Sequence, residues 1–232
     1  MNYFFAIVWA VLEKDIRVEI RTRESLLVML VFALLVLTIF SFAFGPGQGG
    51  KEAAPTQAGI LWVAFLFSSV IGFSRSMGIE REGNGFSAMR LSPADPSALF
   101  FGKMLAIFFL VAIMEIVGFA ALAVFYRAQV WENIGMLSLV AFIATAGISA
   151  VGTLFAAMTA RTRARDALLP VLLFPLLVPV LIAAVKATAA ILGGAGWDEA
   201  GDWVKLLMAF DLIFIAVSAV TFEFMLEEGG GV

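Results

Sequence analysis

Long apolar runs alternate with short polar intervals along nearly the whole chain. Six of these runs can cross roughly 30 Å of hydrocarbon at a rise of 1.5 Å per residue: 25–44, 57–76, 97–126, 134–160, 167–192 and 204–226. A different pattern precedes them. Over residues 3–24, Phe5, Val8, Trp9, Leu12, Ile16 and Ile20 recur at helical spacing opposite Glu13, Lys14, Arg17, Arg21 and Glu24. This predicts an amphipathic helix lying in the interface rather than crossing it. Glu13 with Arg17 and Glu19 with Arg23 stand at i, i+4, a spacing that supports a helix weakly. Asp15, Glu19 and Arg23 draw a charged line through the apolar arc, either a solvated polar edge, which the pattern favours, or a stripe for docking a protein.

The interval from Arg75 to Lys103 interrupts the apolar text most strongly. It holds Arg75, Glu80, Arg81, Glu82, Arg90, Asp95 and Lys103, which no lipid-facing segment accommodates. Gly83-Asn84-Gly85 makes a turn, Phe86, Met89 and Leu91 form a short apolar patch, and Pro93 closes it. Asp95 suits an N-cap and Pro96 the first helical position, so the third span is predicted to start there. Two readings of the interval stand: a short amphipathic helix over 77–92, held at the membrane surface for a soluble partner, or a solvated loop joining two spans. Glycine-rich stretches at Gly45–Gly50 and around Gly193–Gly196 make the other evident loops.

Composition narrows the class. With 62% hydrophobic residues in 232, the chain reads as an all-α polytopic membrane protein. Residues 1–24 form the interfacial helix, 25–226 the six-helix membrane domain with a polar loop at 75–97, and 227–232 a tail. Cysteine and histidine are absent, which removes disulfides, thiolate or imidazole metal sites, histidine bases and the usual axial haem ligands. No G-x-x-x-x-G-K-[ST] sequence occurs, so the chain has no P-loop of its own. The basic residues are scattered and the net charge is −3, which argues against nucleic acid as a partner. The charged first 24 residues do not read as a secretory signal.

Eleven Lys and Arg residues fall on one side of the predicted spans, against three on the other. The positive-inside rule then places both termini, the 75–103 interval and the loop of Arg161, Arg163 and Arg165 in the cytoplasm. Within the spans, Glu115, Lys186 and Asp211 are charged. Burial at a helix centre costs roughly 3 kcal/mol, so Glu115 must be protonated, paired across helices or turned to a polar path. Pro170, Pro175 and Pro179 in the fifth span predict a bent or locally unwound helix, either a hinge or a plain kink.

Three blocks, KDIRVEIRTRE (14–24), LSPADPSALFFGK (91–103) and ARTRARDALLPVLLFPLLVP (160–179), in this order and at this spacing, resemble the CcmB family. These are permease subunits of the cytochrome c maturation ABC exporter. The resemblance implies an ABC-2 exporter-like bundle in the bacterial cytoplasmic membrane. It implies a separate ATP-binding subunit, CcmA, with CcmC, CcmD and the haem chaperone CcmE as further partners; a homodimer of permeases is one arrangement it allows. ATP then acts through the partner, haem is a cargo rather than a bound cofactor, and the permease is not an enzyme. ATP hydrolysis would drive haem export or release of the haem-loaded chaperone. In this reading Phe86, Met89 and Leu91 anchor in the ATPase and Glu80, Arg81, Glu82 and Arg90 pair around the rim. Asp15, Arg17, Glu19, Arg23, Arg161, Arg163 and Arg165 brace the contact. Two other readings keep the architecture: an ABC-2 permease for lipid, polysaccharide or drug, and a membrane scaffold that transports nothing.

Overall fold

The computed structural model describes residues 2–45, 50–82, 92–160, 162 and 164–228, and among these every regular element is helical. Helix α1 spans Asn2–Thr22, α2 Glu24–Phe44, α3 Ala54–Glu82, α4 Pro96–Tyr126, α5 Ile134–Thr159, α6 Arg165–Leu192 and α7 Trp197–Glu228. Single 3-10 turns at Lys51–Ala53 and Trp131–Asn133 lead into α3 and α5. Helices α2 to α7 are each long and apolar enough to cross a membrane. The six-span layout with a separate amino-terminal helix is therefore the one the hydrophobic pattern predicts.

Helix α3 is the axis of the bundle, packing on α2, α6 and α4. Nearly three quarters of its most apolar window is buried, against about a fifth for α2, so α3 is enclosed by protein while α2 lies at the periphery. Trp62, Phe65 and Phe73 of α3 are wholly buried, and the Trp62 indole donates to Thr188 Oγ1 of α6 at 2.9 Å. Glycines let the neighbours approach. Gly118 of α4 faces the Phe65 ring and Gly152 of α5 the Phe73 ring, each where a Cβ would collide. Helix α1 lies against α4 in the same way: a Cβ on Gly102 would come within 2.6 Å of the Val11 Cβ. Its other side leaves Phe5, Trp9 and Ile20 exposed, as an interfacial helix requires.

At the predicted start of the third span, the Asp95 carboxylate accepts from Ser97 N at 2.8 Å with Pro96 next in the helix. The end of the second span differs from the sequence reading. Helix α3 does not stop near residue 76 but continues to Glu82, so residues 77–82 belong to the span and no separate helix begins at 77. The polar residues of Ser74–Glu82 marked an interface, and an interface does not end a helix. The rest of the proposed amphipathic helix, 83–91, lies outside the described residues, as do 46–49 of the glycine-rich loop and 229–232 of the tail. Helix α6 runs unbroken through Pro170, Pro175 and Pro179, so local unwinding is not its conformation. The three rings fall on exposed or half-buried positions, where neighbouring helices leave them room.

Candidate coupling site and intramembrane polar groups

At one end of the bundle, two lysines and two carboxylates from three helices meet. Lys103, in the second turn of α4, is almost wholly buried. Its ammonium lies 2.8 Å from Asp15 Oδ2 of α1 and donates to Glu80 Oε1 of α3. Lys14 of α1 donates to the same Glu80 oxygen and lies 3.2 Å from Asp15 Oδ1. The four charges cancel, the condition under which such groups can be buried together. Burial pulls the Lys14 ammonium down, but the Asp15 and Glu80 carboxylates outweigh it and hold its pKa above the ordinary lysine value.

This cluster corrects two expectations. Glu80 is not at a partner's rim: it is 6% exposed and turned toward α1 and α4, because α3 continues helically and carries it back against the bundle. Asp15 and Glu19 are not a solvated edge either. Asp15 pairs with lysines, and Glu19 Oε1 accepts from Leu26 N at 2.7 Å in the first turn of α2. Arg23 occupies the corner between α1 and α2 with φ 56, a left-handed conformation that costs a non-glycine residue. Glu19 offsets that cost by capping the helix beyond the corner, since Arg23 itself offers no side-chain cap. The expected Glu19–Arg23 pair is therefore replaced, and Arg23 Nε turns to Ile20 O at 3.4 Å. The Glu13–Arg17 pair does form, on the exposed side of α1.

Sequence reasoning counted Lys103 among the charges of the 75–103 interval and of the positive side, and gave it no partner. The signal was a lone lysine within FFGKMLAIFF, which inside a span demands a partner.

Around the same end, Arg75 Nη1 of α3 lies 3.2 Å from Glu24 Oε2 of α2. Ser74 Oγ donates to Asp166 Oδ1 of α6 at 2.7 Å, and Arg165 Nε lies 3.4 Å from the same oxygen. Arg81 and Glu82 form the last turn of α3. Phe86, Met89, Arg90, Leu91, Arg161 and Arg163 lie outside the described residues.

Deeper in the bundle, Glu115 of α4 is buried and accepts from Thr145 Oγ1 of α5 at 2.6 Å. This supplies the cross-helix partner that the sequence could not name. Asp211 of α7 is buried against the backbone of Gly147 in α5, where any side chain would meet its carboxylate. Lys186 is exposed near the opposite end of α6, free to extend along the helix toward a headgroup region. These groups join helices: α4 to α5 through Glu115, α7 to α5 through Asp211.

Known proteins resemble this chain over most of its length. Heme exporter protein B of Rhodobacter capsulatus is 28% identical over 173 residues, covering 75% of this chain and 78% of its own length. The protein of the same name from Bradyrhizobium diazoefficiens is 24% identical over 222 residues, covering 95% and 97%. That of Pseudomonas aeruginosa is 29% identical over 201 residues, covering 87% and 89%. The family model described as CcmB protein matches residues 6–228, from the first turns of α1 to the last residue of α7, and the chain belongs to that family.

Proposed function

We propose that this chain is the membrane permease of an ATP-driven haem exporter, coupled to a separate ATP-binding subunit of the CcmA type. It would sit in the bacterial inner membrane with both termini in the cytoplasm and work with CcmC, CcmD and the chaperone CcmE. The relatives named heme exporter protein B support the cargo. The ion cluster of Asp15, Lys14, Glu80 and Lys103 is the observation that carries the coupling.

Along the chain, residues 83–91 lie between the end of α3 and the start of α4. A push delivered there by a nucleotide-driven partner would act on both helices at once. With Lys103 of α4 and Glu80 of α3 both held to α1, the three helix ends would move as one body rather than bend separately. ATP hydrolysis would then drive haem export or release of the haem-loaded chaperone.

The test is purification of the tagged full chain in mild detergent, with its companions identified by mass spectrometry. An ATP-binding subunit together with CcmC or CcmE is expected. An ATP-binding subunit alone would favour a permease for another cargo, and the lack of any ATP-binding subunit would overturn the reading. Phe86→Asp should abolish recovery of the ATPase while leaving the chain itself folded. Unchanged recovery would remove 83–91 from the contact.

A second reading, a scaffold that passes mechanical work to its partners without opening a path, draws on Glu115. That carboxyl is engaged by Thr145, which suits a joint between helices better than the lining of a channel. Activity of the complex that is indifferent to Glu115→Gln and to replacement of Pro170, Pro175 and Pro179 would favour the scaffold.

A further inference from the structure

A groove of about 620 Å³ opens between α2, α3 and α6 at the same end of the bundle as the ion cluster. Its deep wall is apolar, formed by Phe32, Phe67, Val70 and Phe174, and the Phe67 and Phe174 rings lie 4.9 Å apart. Its mouth is polar: Glu24, Arg75, Arg165 and Asp166 line it. Along α3 the distance from Phe67 to Arg75 is about 12 Å at 1.5 Å per residue. The groove thus has a charged opening at headgroup level and a hydrocarbon-lined floor beneath it, in a volume suited to a small amphiphile.

We propose that this groove binds one zwitterionic phospholipid of the leaflet on the α1 side, with a primary ammonium in its headgroup. The charges at the mouth select that class. Two guanidiniums stand beside two carboxylates, so the opening is neutral overall but strongly patterned. A phosphate takes the arginines and an ammonium takes Glu24 and Asp166. A dianionic porphyrin or an anionic lipid would bring its negative charge against the same two carboxylates and offer them no ammonium.

Among the described residues each arginine makes a single carboxylate contact, a hydrogen bond at 3.2 Å for Arg75 and a looser approach at 3.4 Å for Arg165. A guanidinium has five N–H donors, so most remain for phosphate oxygens. Helix α6 also begins at this mouth, and Ala164 supplies no side-chain cap. Its first turn adds partial positive charge beside the arginines. One of its two acyl chains would lie along Phe32, Phe67 and Phe174, with the other in the surrounding bilayer. The site is independent of the transport reading, since it rests only on this chain and the bilayer around it.

The test is native mass spectrometry of the full chain, released from nanodiscs of phosphatidylethanolamine, of phosphatidylglycerol or of both, with the retained lipid extracted and identified. One phosphatidylethanolamine per chain is expected, in preference to phosphatidylglycerol. Arg75→Gln with Arg165→Gln should lower its retention about tenfold or more, as expected for losing charge-assisted bonds to phosphate. Arg75→Lys with Arg165→Lys should restore most of it. Ile71→Trp, which fills the groove and leaves both arginines in place, should also release the lipid, and it serves if the glutamine pair fails to fold. Equal retention of both lipids, retention unaffected by these variants, a porphyrin in place of lipid, or a second copy of the chain seated on the groove without lipid would each overturn the proposal.

Discussion

Replacing Lys103 by methionine keeps the length and apolar stem of the side chain and removes only the ammonium. What remains is Glu80, with 7% of its side chain exposed, and Asp15, with 14%, facing a site that has lost its central cation. Removing one partner of a buried ion pair costs about 3–5 kcal/mol, because the other charge stays behind. Here Lys14 still reaches both carboxylates, and half of its side chain is in contact with solvent, so the low end, about 3 kcal/mol, applies. Neutralising the carboxylates as well should recover most of that loss, since a site without charges has none left unpaired. The triple variant Lys103→Met, Glu80→Gln, Asp15→Asn should therefore lie closer to the parent than Lys103→Met does. The assay is equilibrium unfolding in detergent, with limited proteolysis of α1 to report whether it leaves α4. A single variant within about 0.5 kcal/mol of the parent, the ordinary range for an exposed substitution, would refute the reasoning. So would a triple variant less stable than the single.

Gly147→Ala should destabilise the fold by about 1–3 kcal/mol, as overpacking does, because the new methyl meets the Asp211 carboxylate. Adding Asp211→Ala should recover most of the loss, and thermal unfolding in detergent measures both. Thr145→Val should cost about 1 kcal/mol or more by taking the donor from buried Glu115, whereas Glu115→Gln keeps an acceptor for Thr145 and should cost less; the reverse order in chemical denaturation would show that the hydrogen bond is not what matters there. The raised pKa of Lys14 means that its contribution to stability is complete below the unfolded value of about 10.4 and is lost as pH rises through the higher folded value. Melting temperatures scanned through that alkaline window should fall more steeply for the parent than for Lys14→Gln.

The hydrophobic pattern showed the spans because each span is a local property: twenty or so residues suffice to declare it. The Asp95-Pro96 cap is local too, and it stands where the sequence placed it. The candidate site was harder to read, because its chemistry joins distant parts of the chain. Lys14 and Glu80 are 66 residues apart, and nothing near either one names the other. Charge density over 75–103 looked like a solvated surface since a one-dimensional reading cannot separate charges facing water from charges facing each other. Two clues were nevertheless present. Asp15 stood within the apolar arc of α1, and Lys103 stood within an apolar run. Each is improbable for a solvated residue, and both belong to the same cluster. The contact glycines carried no such clue, because in a span a glycine under a neighbour's ring and a glycine facing lipid look alike.

The two ends of the bundle are held by different forces, and the difference bears on which part can move. Opposite the ion cluster, the Tyr126 hydroxyl of α4 donates to Leu37 O of α2 at 2.8 Å, and Ser41 Oγ of α2 donates to Phe125 O at 3.4 Å. These are neutral bonds, each worth about 1 kcal/mol, and they join α4 to a peripheral helix. At the charged end, removing any one charge from the cluster that joins α1, α3 and α4 would cost several kcal/mol, while the polar contacts of α2 with this group are Glu19 at Leu26 and Glu24 at Arg75. Arg75 and Glu24 are both solvent-exposed, so their bond is weak. A load entering between α3 and α4 would meet that cluster directly, and the weaker polar joints at this end lie along the seam with α2 and α6. The groove opens along that seam, so a molecule seated there would resist the displacement or be expelled by it.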